Sequence, residues 1–246
     1  MAVMENEQSK LFGVLEKFGN IFCLNVLFII FSLPIITIGA SVTATYSVML
    51  RLVRNEEGPI LKSFVKSFKK NFKASTIVWL LILLASFVIY GELLFIVNTE
   101  GALSIVYSFI VIIELVLIMF TLPFLFPLLA RYDNGIFLTI KNAFLISVSN
   151  FGAWLKISLA WIMPTLICVM YPGIFLYIWY LWVLLVFGLI FFGTSFTIRK
   201  TFDKITKAVD EKAEEKEQTI VSNKKPVYTK KSISEHLNAF KKDDKS

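Results

Sequence analysis

Two acidic residues stand where acids are costly. Glu114 lies ten residues into an apolar run that begins at Ser104 and ends at Ala130, and Glu92 lies inside another from Ala74 to Val97. An ionised carboxylate in hydrocarbon costs several kcal/mol unless it is paired or wet, so an intramembrane acid is a candidate functional group. Glu114 is the sharper candidate, because no basic residue sits at similar depth in any apolar run. It is left with a proton of its own, a hydrogen bond to a Tyr or Ser, or a polar cavity. Glu92 is nearer the end of its run, where reaching the interface is the simpler reading.

Other chemistry is sparse. His236, the single histidine, stands in a polar tail with no acid–base or metal constellation around it. No glycine loop would cradle a phosphate, and no Ser or Cys has a base nearby. The expectation is therefore a non-enzyme with no catalytic residue, no metal and no cofactor. Cys23 and Cys168 sit in apolar stretches and read as small membrane-buried side chains. Tyr171, Tyr177, Trp179, Tyr180 and Trp182 read as an interfacial belt, with stacking on a sugar as the alternative.

The elements that must position these residues follow from where charge is missing. No ionisable residue lies between Lys17 and Arg51, or in the 42 residues between Lys156 and Arg199. A spanning helix needs about 20 apolar residues. With 57% hydrophobic residues, 17% charged and a mean hydropathy of +0.72, the chain falls outside the globular average. The net charge of +7 does not indicate nucleic acid, because seven basic residues crowd 51–73 and thirteen follow residue 198. That is the pattern of a membrane protein with cationic cytoplasmic segments.

The fold expected is an all-α polytopic membrane bundle with five spans, at 19–40, 74–97, 104–130, 151–171 and 174–198. Pro34 and Gly39 break the first uncharged run, and 41–50 then leaves toward the interface. Residues 1–198 form the membrane domain and 199–246 a basic cytoplasmic tail, helical to about Glu217 and disordered from Gln218 to Lys231. Ser232 to Glu235 then reads as a capping box before a short helix. Five spans put the basic loops and the C-terminus in the cytoplasm and the N-terminus outside, whereas a re-entrant first segment would reverse the N-terminal end. The first eighteen residues carry Glu5, Glu7 and Glu16 against Lys10 and Lys17, so no cleavable signal peptide is expected.

Residues 59–73 read as a basic amphipathic surface helix. Phe64, Phe68 and Phe72 recur every four positions, and Lys62, Lys66, Lys69, Lys70 and Lys73 occupy the remaining arc. Such a helix lies on an anionic leaflet with its phenylalanines in the acyl boundary. The alternative packs it against protein with its lysines in water. Two stretches also rhyme. Leu33-Pro34, Arg54 to Gly58, Asn71-Phe72 and Trp79 have counterparts in Leu122-Pro123, Arg131 to Gly135, Asn150-Phe151 and Trp154. The readings are a parallel repeat of span, surface helix and span, or chance likeness in a biased composition.

The run Leu33-Pro34-Ile35-Ile36-Thr37-Ile38-Gly39-Ala40, then Leu52 to Gly58, then Ser63-Phe64 and Lys66 to Lys73, resembles the YesL-like family of Gram-positive bacterial membrane proteins, whose domain is of unknown function. The likeness is specific over 19–80, and the span pattern fits to about residue 200. Pro59 and Ile60 depart from an aromatic pair that members often carry, and the tail is longer. Family members typically lie beside genes for carbohydrate ABC transporters. The resemblance implies a bacterial plasma-membrane accessory protein of sugar uptake or sensing, with permease subunits or a sensor kinase as partners beside the lipid bilayer. The alternative is a stand-alone small-solute transporter or channel with Glu114 and Asn25 on its path. Close helix contact would come from Gly39, Ala40, Ser41, Gly188 and Gly193.

Overall fold

The computed structural model describes residues 2–56 and 58–223, and every regular element among them is helical. The helices are α1 (Ala2–Ser32), α2 (Ile38–Leu52), α3 (Ile60–Asn98), α4 (Ala102–Arg131), α5 (Ile136–Ser149), α6 (Phe151–Met170), α7 (Pro172–Leu181) and α8 (Phe187–Asn223). A 3₁₀ turn (Ile35–Thr37) joins α1 to α2, and a π-helical segment (Trp182–Val186) joins α7 to α8. Among the described residues, six segments are long and apolar enough to cross a membrane. The chain is a multi-pass all-α membrane bundle. It divides into two compact units, Met1–Thr201 and Phe202–Ser246. His236 and the capping box at Ser232 lie outside the described residues, as does the stretch from 224 of the expected disordered segment, whereas Gln218 to Asn223 continue α8.

The first expected span is two helices. Pro34 ends α1, and Thr37 Oγ1 donates to the carbonyls of Phe31 and Pro34 in the turn (2.6 and 2.8 Å). Lys17 Nζ donates to Asn55 Oδ1 at 2.8 Å. The stretches from Lys17 to Ser32 and from Ile38 to Leu52 each rise about 21–23 Å. Two helices of that length whose far ends meet across a tight turn are antiparallel. The start of the chain thus shares an end of the bundle with the basic loop after α2, and Arg199 joins it by donating to the Val53 carbonyl (2.8 Å). This corrects the five-span parity that set the N-terminus opposite the C-terminal side. Residues 41–50 do not leave for the interface; most of α2 is buried within the bundle.

A glycine makes that burial possible. A Cβ on Gly39 would sit 2.6 Å from the Ser75 carbonyl oxygen and 2.6 Å from Trp79 Cβ. The approach lets Ser75 Oγ donate to Thr43 Oγ1 (2.8 Å), which donates to the Gly39 carbonyl (2.9 Å), in a fully buried chain. Close backbones and interhelical hydrogen bonds are what hold membrane helices together, since lipid is as apolar as leucine. Gly188 does the same between α8 and α1, where a Cβ would meet Asn25 and Ile21 at 3.1 Å. Gly39, Ala40 and Ser41 are therefore consumed inside the chain and do not face a partner. Gly193 has open space around it.

The amphipathic segment and the second span are one helix. Ser67, Asn71, Ser75 and Val78 continue the buried stripe begun at Phe64, so α3 has no break at residue 73. At 39 residues it measures about 58 Å, well over a hydrocarbon core of about 30 Å, so its lysine-bearing turns project beyond that core. Lys62, Lys66, Lys69, Lys70 and Lys73 are all exposed. Phe64 is a correction: it is fully buried, its ring 5.2 Å from that of Phe31, and faces protein rather than lipid. Phe68 is half-buried against Phe31 and Phe72, and Phe72 stays exposed.

The rhyming stretches share a structural role. Pro123 has no N–H, so the carbonyl four residues earlier, on Met119, loses its helical partner. Trp154 Nε1 donates to it at 3.1 Å, with the Trp154 ring stacked on Phe120 at 4.3 Å. After Pro34, Trp79 Nε1 donates to the Ile35 carbonyl at 2.7 Å. In each unit an indole from the returning helix bonds a carbonyl beside a Leu-Pro break; that of Met119 lacks a helical donor, whereas that of Ile35 also accepts the Ile38 N–H. The units differ at their asparagines: Asn71 stays helical and bonds back to Ser67, whereas Asn150 (φ −124°, ψ 53°) separates α5 from α6.

Two predictions follow from this packing. Trp154→Phe should destabilise by about 1–3 kcal/mol by leaving the Met119 carbonyl without a donor in hydrocarbon. Pro123→Ala, which restores the helical donor, should remove most of that cost when the two are combined, as read by thermal unfolding in detergent. Gly39→Ala should cost about 1–3 kcal/mol through overpacking against backbone, while Gly193→Ala should leave the melting temperature nearly unchanged.

Candidate functional site

The two membrane acids meet. Glu92, on α3, lies beside Glu114, on α4, close enough for the two carboxyl groups to interact. Their positions along the helices do not predict it: Glu92 is six residues before the end of α3 and Glu114 twelve after the start of α4, about 9 and 18 Å from the connecting turn. Side-chain direction closes the gap. Every Cα–Cβ bond tilts toward its helix N-terminus. In antiparallel helices the Glu92 side chain therefore leans away from the turn and the Glu114 side chain toward it.

The turn fixes the register. Gly101 has φ +87° and ψ −156°, a conformation open to glycine and strained for other residues, and it starts α4 directly after Glu100. Just inside, Phe95 and Tyr107 pack with centroids 4.6 Å apart, and Ser104 Oγ bonds the Ile96 carbonyl. Farther from the turn, Val78, Leu81, Ala85, Leu117, Thr121 and Leu125 line an apolar groove on the same hairpin.

Two carboxylates have no donor between them, so a hydrogen bond between carboxyls requires a proton on one. The pair can hold or pass a proton, or accept a donor from outside. Glu92 Oε2 is buried and has no partner among the described residues. Both side chains are half-exposed, while Leu93, Phe95, Ile113 and Leu115 around them are exposed apolar residues. The site therefore opens on a flank of the hairpin that faces lipid or another membrane segment. The mutual pairing was missed because the two acids stand at unequal distances from the turn.

Asn25 is not part of it. Its amide is buried and donates to the Val183 and Leu184 carbonyls (2.9 and 2.6 Å) in the π-helical segment. Tyr171, Tyr177, Trp179 and Tyr180 are exposed, which suits a belt and a stacking surface alike, and the side chain of Trp182 lies outside those described. Among the described residues no group of three or more His, Cys, Asp or Glu could hold a metal ion.

Residues 21–93 match the model of a protein family described as of unknown function, DUF624. The match takes in the Pro34 break, Gly39, Ser75, Trp79 and Glu92, and stops short of Glu114. No curated protein and no solved structure matches the chain.

If the acids support each other, their removal is non-additive. Glu92→Leu and Glu114→Leu should each lower the melting temperature in detergent by leaving one carboxyl in an apolar setting. The double variant, with no carboxyl left there, should melt above both singles.

Proposed function

We propose that this chain is a non-enzymatic accessory protein of a bacterial plasma membrane that serves carbohydrate ABC transport or its sensing. The observation carrying the accessory role is the Glu92–Glu114 pair on an outer flank of the α3–α4 hairpin. Polar groups facing lipid are costly, and a partner helix offering a donor at that depth removes the cost. The carbohydrate element rests on the resemblance of residues 19–80 to the YesL-like family. A cytoplasmic location for the basic end rests on the concentration of Lys and Arg in 51–73 and after 198.

A second reading, a stand-alone transporter of small solutes, draws on the same pair as a proton-handling group. The tests differ. Purification from native membranes in mild detergent should recover carbohydrate permease subunits or a sensor kinase, and Glu114→Leu should reduce that recovery severalfold with expression unchanged. Recovery of the protein alone, with proton-coupled flux in liposomes that Glu114→Gln abolishes, would establish the transporter reading instead.

A further inference from the structure

The basic end of the bundle holds a second site. Ser47, Leu50 and Arg51 of α2, Arg54 just beyond it, and Ala130 and Arg131 at the end of α4 line an open cleft of about 200 Å³. Three arginines from two separate parts of the chain line it, and no acidic residue is among the lining residues. Arg54 and Arg131 occupy corresponding places in the two rhyming stretches, so the cleft lies where the two units meet.

The arginines are set in place rather than loose. Arg51 is exposed, and its Nε donates to the Ser47 carbonyl at 3.2 Å. Arg54 and Arg131 are half-buried and make interactions of their own. The loop beyond α2 is fixed by Asn55 in the left-handed conformation (φ 58°), by Lys17 on the Asn55 side chain, and by the Glu56 N–H on the Arg51 carbonyl. Asp133, the acid nearest in sequence to Arg131, is engaged by Lys70 at 2.9 Å. Glu56 lines a separate small cleft with Arg51.

A guanidinium is a planar fork that matches phosphate oxygens two at a time. We propose that Arg51, Arg54 and Arg131, with Ser47, bind a phosphate group, carried either by an anionic phospholipid head group or by a small phosphorylated solute. Both sources present the same oxygens to the cleft. Spanning helices ending at this basic end place it near head-group depth.

The test uses the full-length chain in mild detergent, with binding read by thermal shift and by native mass spectrometry. Probes are phosphatidylglycerol, phosphatidylcholine, inorganic phosphate and glucose 6-phosphate. Arg51→Gln and Arg131→Gln should each weaken binding of the phosphate-bearing probe about tenfold, and Arg51→Lys, which keeps charge and loses the fork, by an intermediate factor. Lys66→Gln with Lys69→Gln, on the exposed face of α3, controls for general attraction and should weaken it about threefold or less. Cleft-dependent binding of phosphatidylglycerol identifies a lipid site, and cleft-dependent binding of the soluble probes identifies a solute site. Equal loss in the cleft and lysine variants, or no phosphate-dependent binding by the folded parent, overturns the proposal. Arg51→Lys keeps the test decisive if a glutamine variant fails to fold.

Discussion

A backbone group in hydrocarbon must find its hydrogen bond within the protein, because lipid offers none. An unbroken helix meets this rule by itself, and this chain breaks its helices repeatedly. Each break therefore calls for a side chain that reaches the freed carbonyls. Trp154 does so at Met119, and Thr37, Trp79 and Asn25 bond carbonyls at the other breaks, in the Pro34 turn, at Ile35 and in the π-helical segment. The Trp79, Trp154 and Asn25 contacts join an element to one distant in sequence, so local repair also fixes tertiary structure. The two indoles hold the returning helix of each unit against the break before it. The Asn25 amide ties α1 to the segment leading into α8.

That coupling determines where the acids lie. Gly39 brings α2 against α3 so closely that the Ser75 carbonyl almost touches the α2 backbone, and the Ser75–Thr43 bond fixes their relative rotation. The same rotation sets which face of α3 turns toward α4, and Glu92 is on it. Gly101 and the Phe95–Tyr107 contact then set the height of α4. A carboxyl pair across two helices depends on their relative rotation and height being held. The buried α2 supplies a rigid backing, although it carries neither acid.

Much of this was legible in the sequence, and the failures have physical causes. Long apolar runs located α3, α4, α6 and α8, because the cost of charge in lipid acts residue by residue and needs no tertiary knowledge. The α1–α2 hairpin was not fixed in this way. An uncharged run with a proline accommodates one long broken span or two antiparallel helices equally well. What separates them is the fit of Gly39 against Ser75 and Trp79, which no local pattern reveals. Phe64 misled for a related reason. Its four-residue recurrence with Phe68 and Phe72 suits a helix lying on lipid as well as one packed on α1, since Phe31 presents a surface equally apolar. The two glutamates were singled out by their setting, but their meeting depends on opposed Cβ directions in helices of known register.

The arginines at the basic end show how far a single local rule carries. A cation in the last turn of a helix is stabilised by the carbonyl end of the dipole by about 0.3–1 kcal/mol. Arg51 in the last turn of α2 and Arg131 in that of α4 satisfy this rule independently. Arg54 does not, since it follows the end of α2 and its N–H closes a turn onto the Arg51 carbonyl. Nor does the dipole explain why the α2 and α4 ends share one cleft. Two like charges brought together repel, and the α3 connection that places these ends side by side leaves that repulsion to be relieved at the cleft. An anion in the cleft would add to whatever relief the interactions of Arg54 and Arg131 already give. The placement of cations by helix ends and the shape of the cleft are thus separate features, the first set by local capping and the second by the packing of α2 against α4.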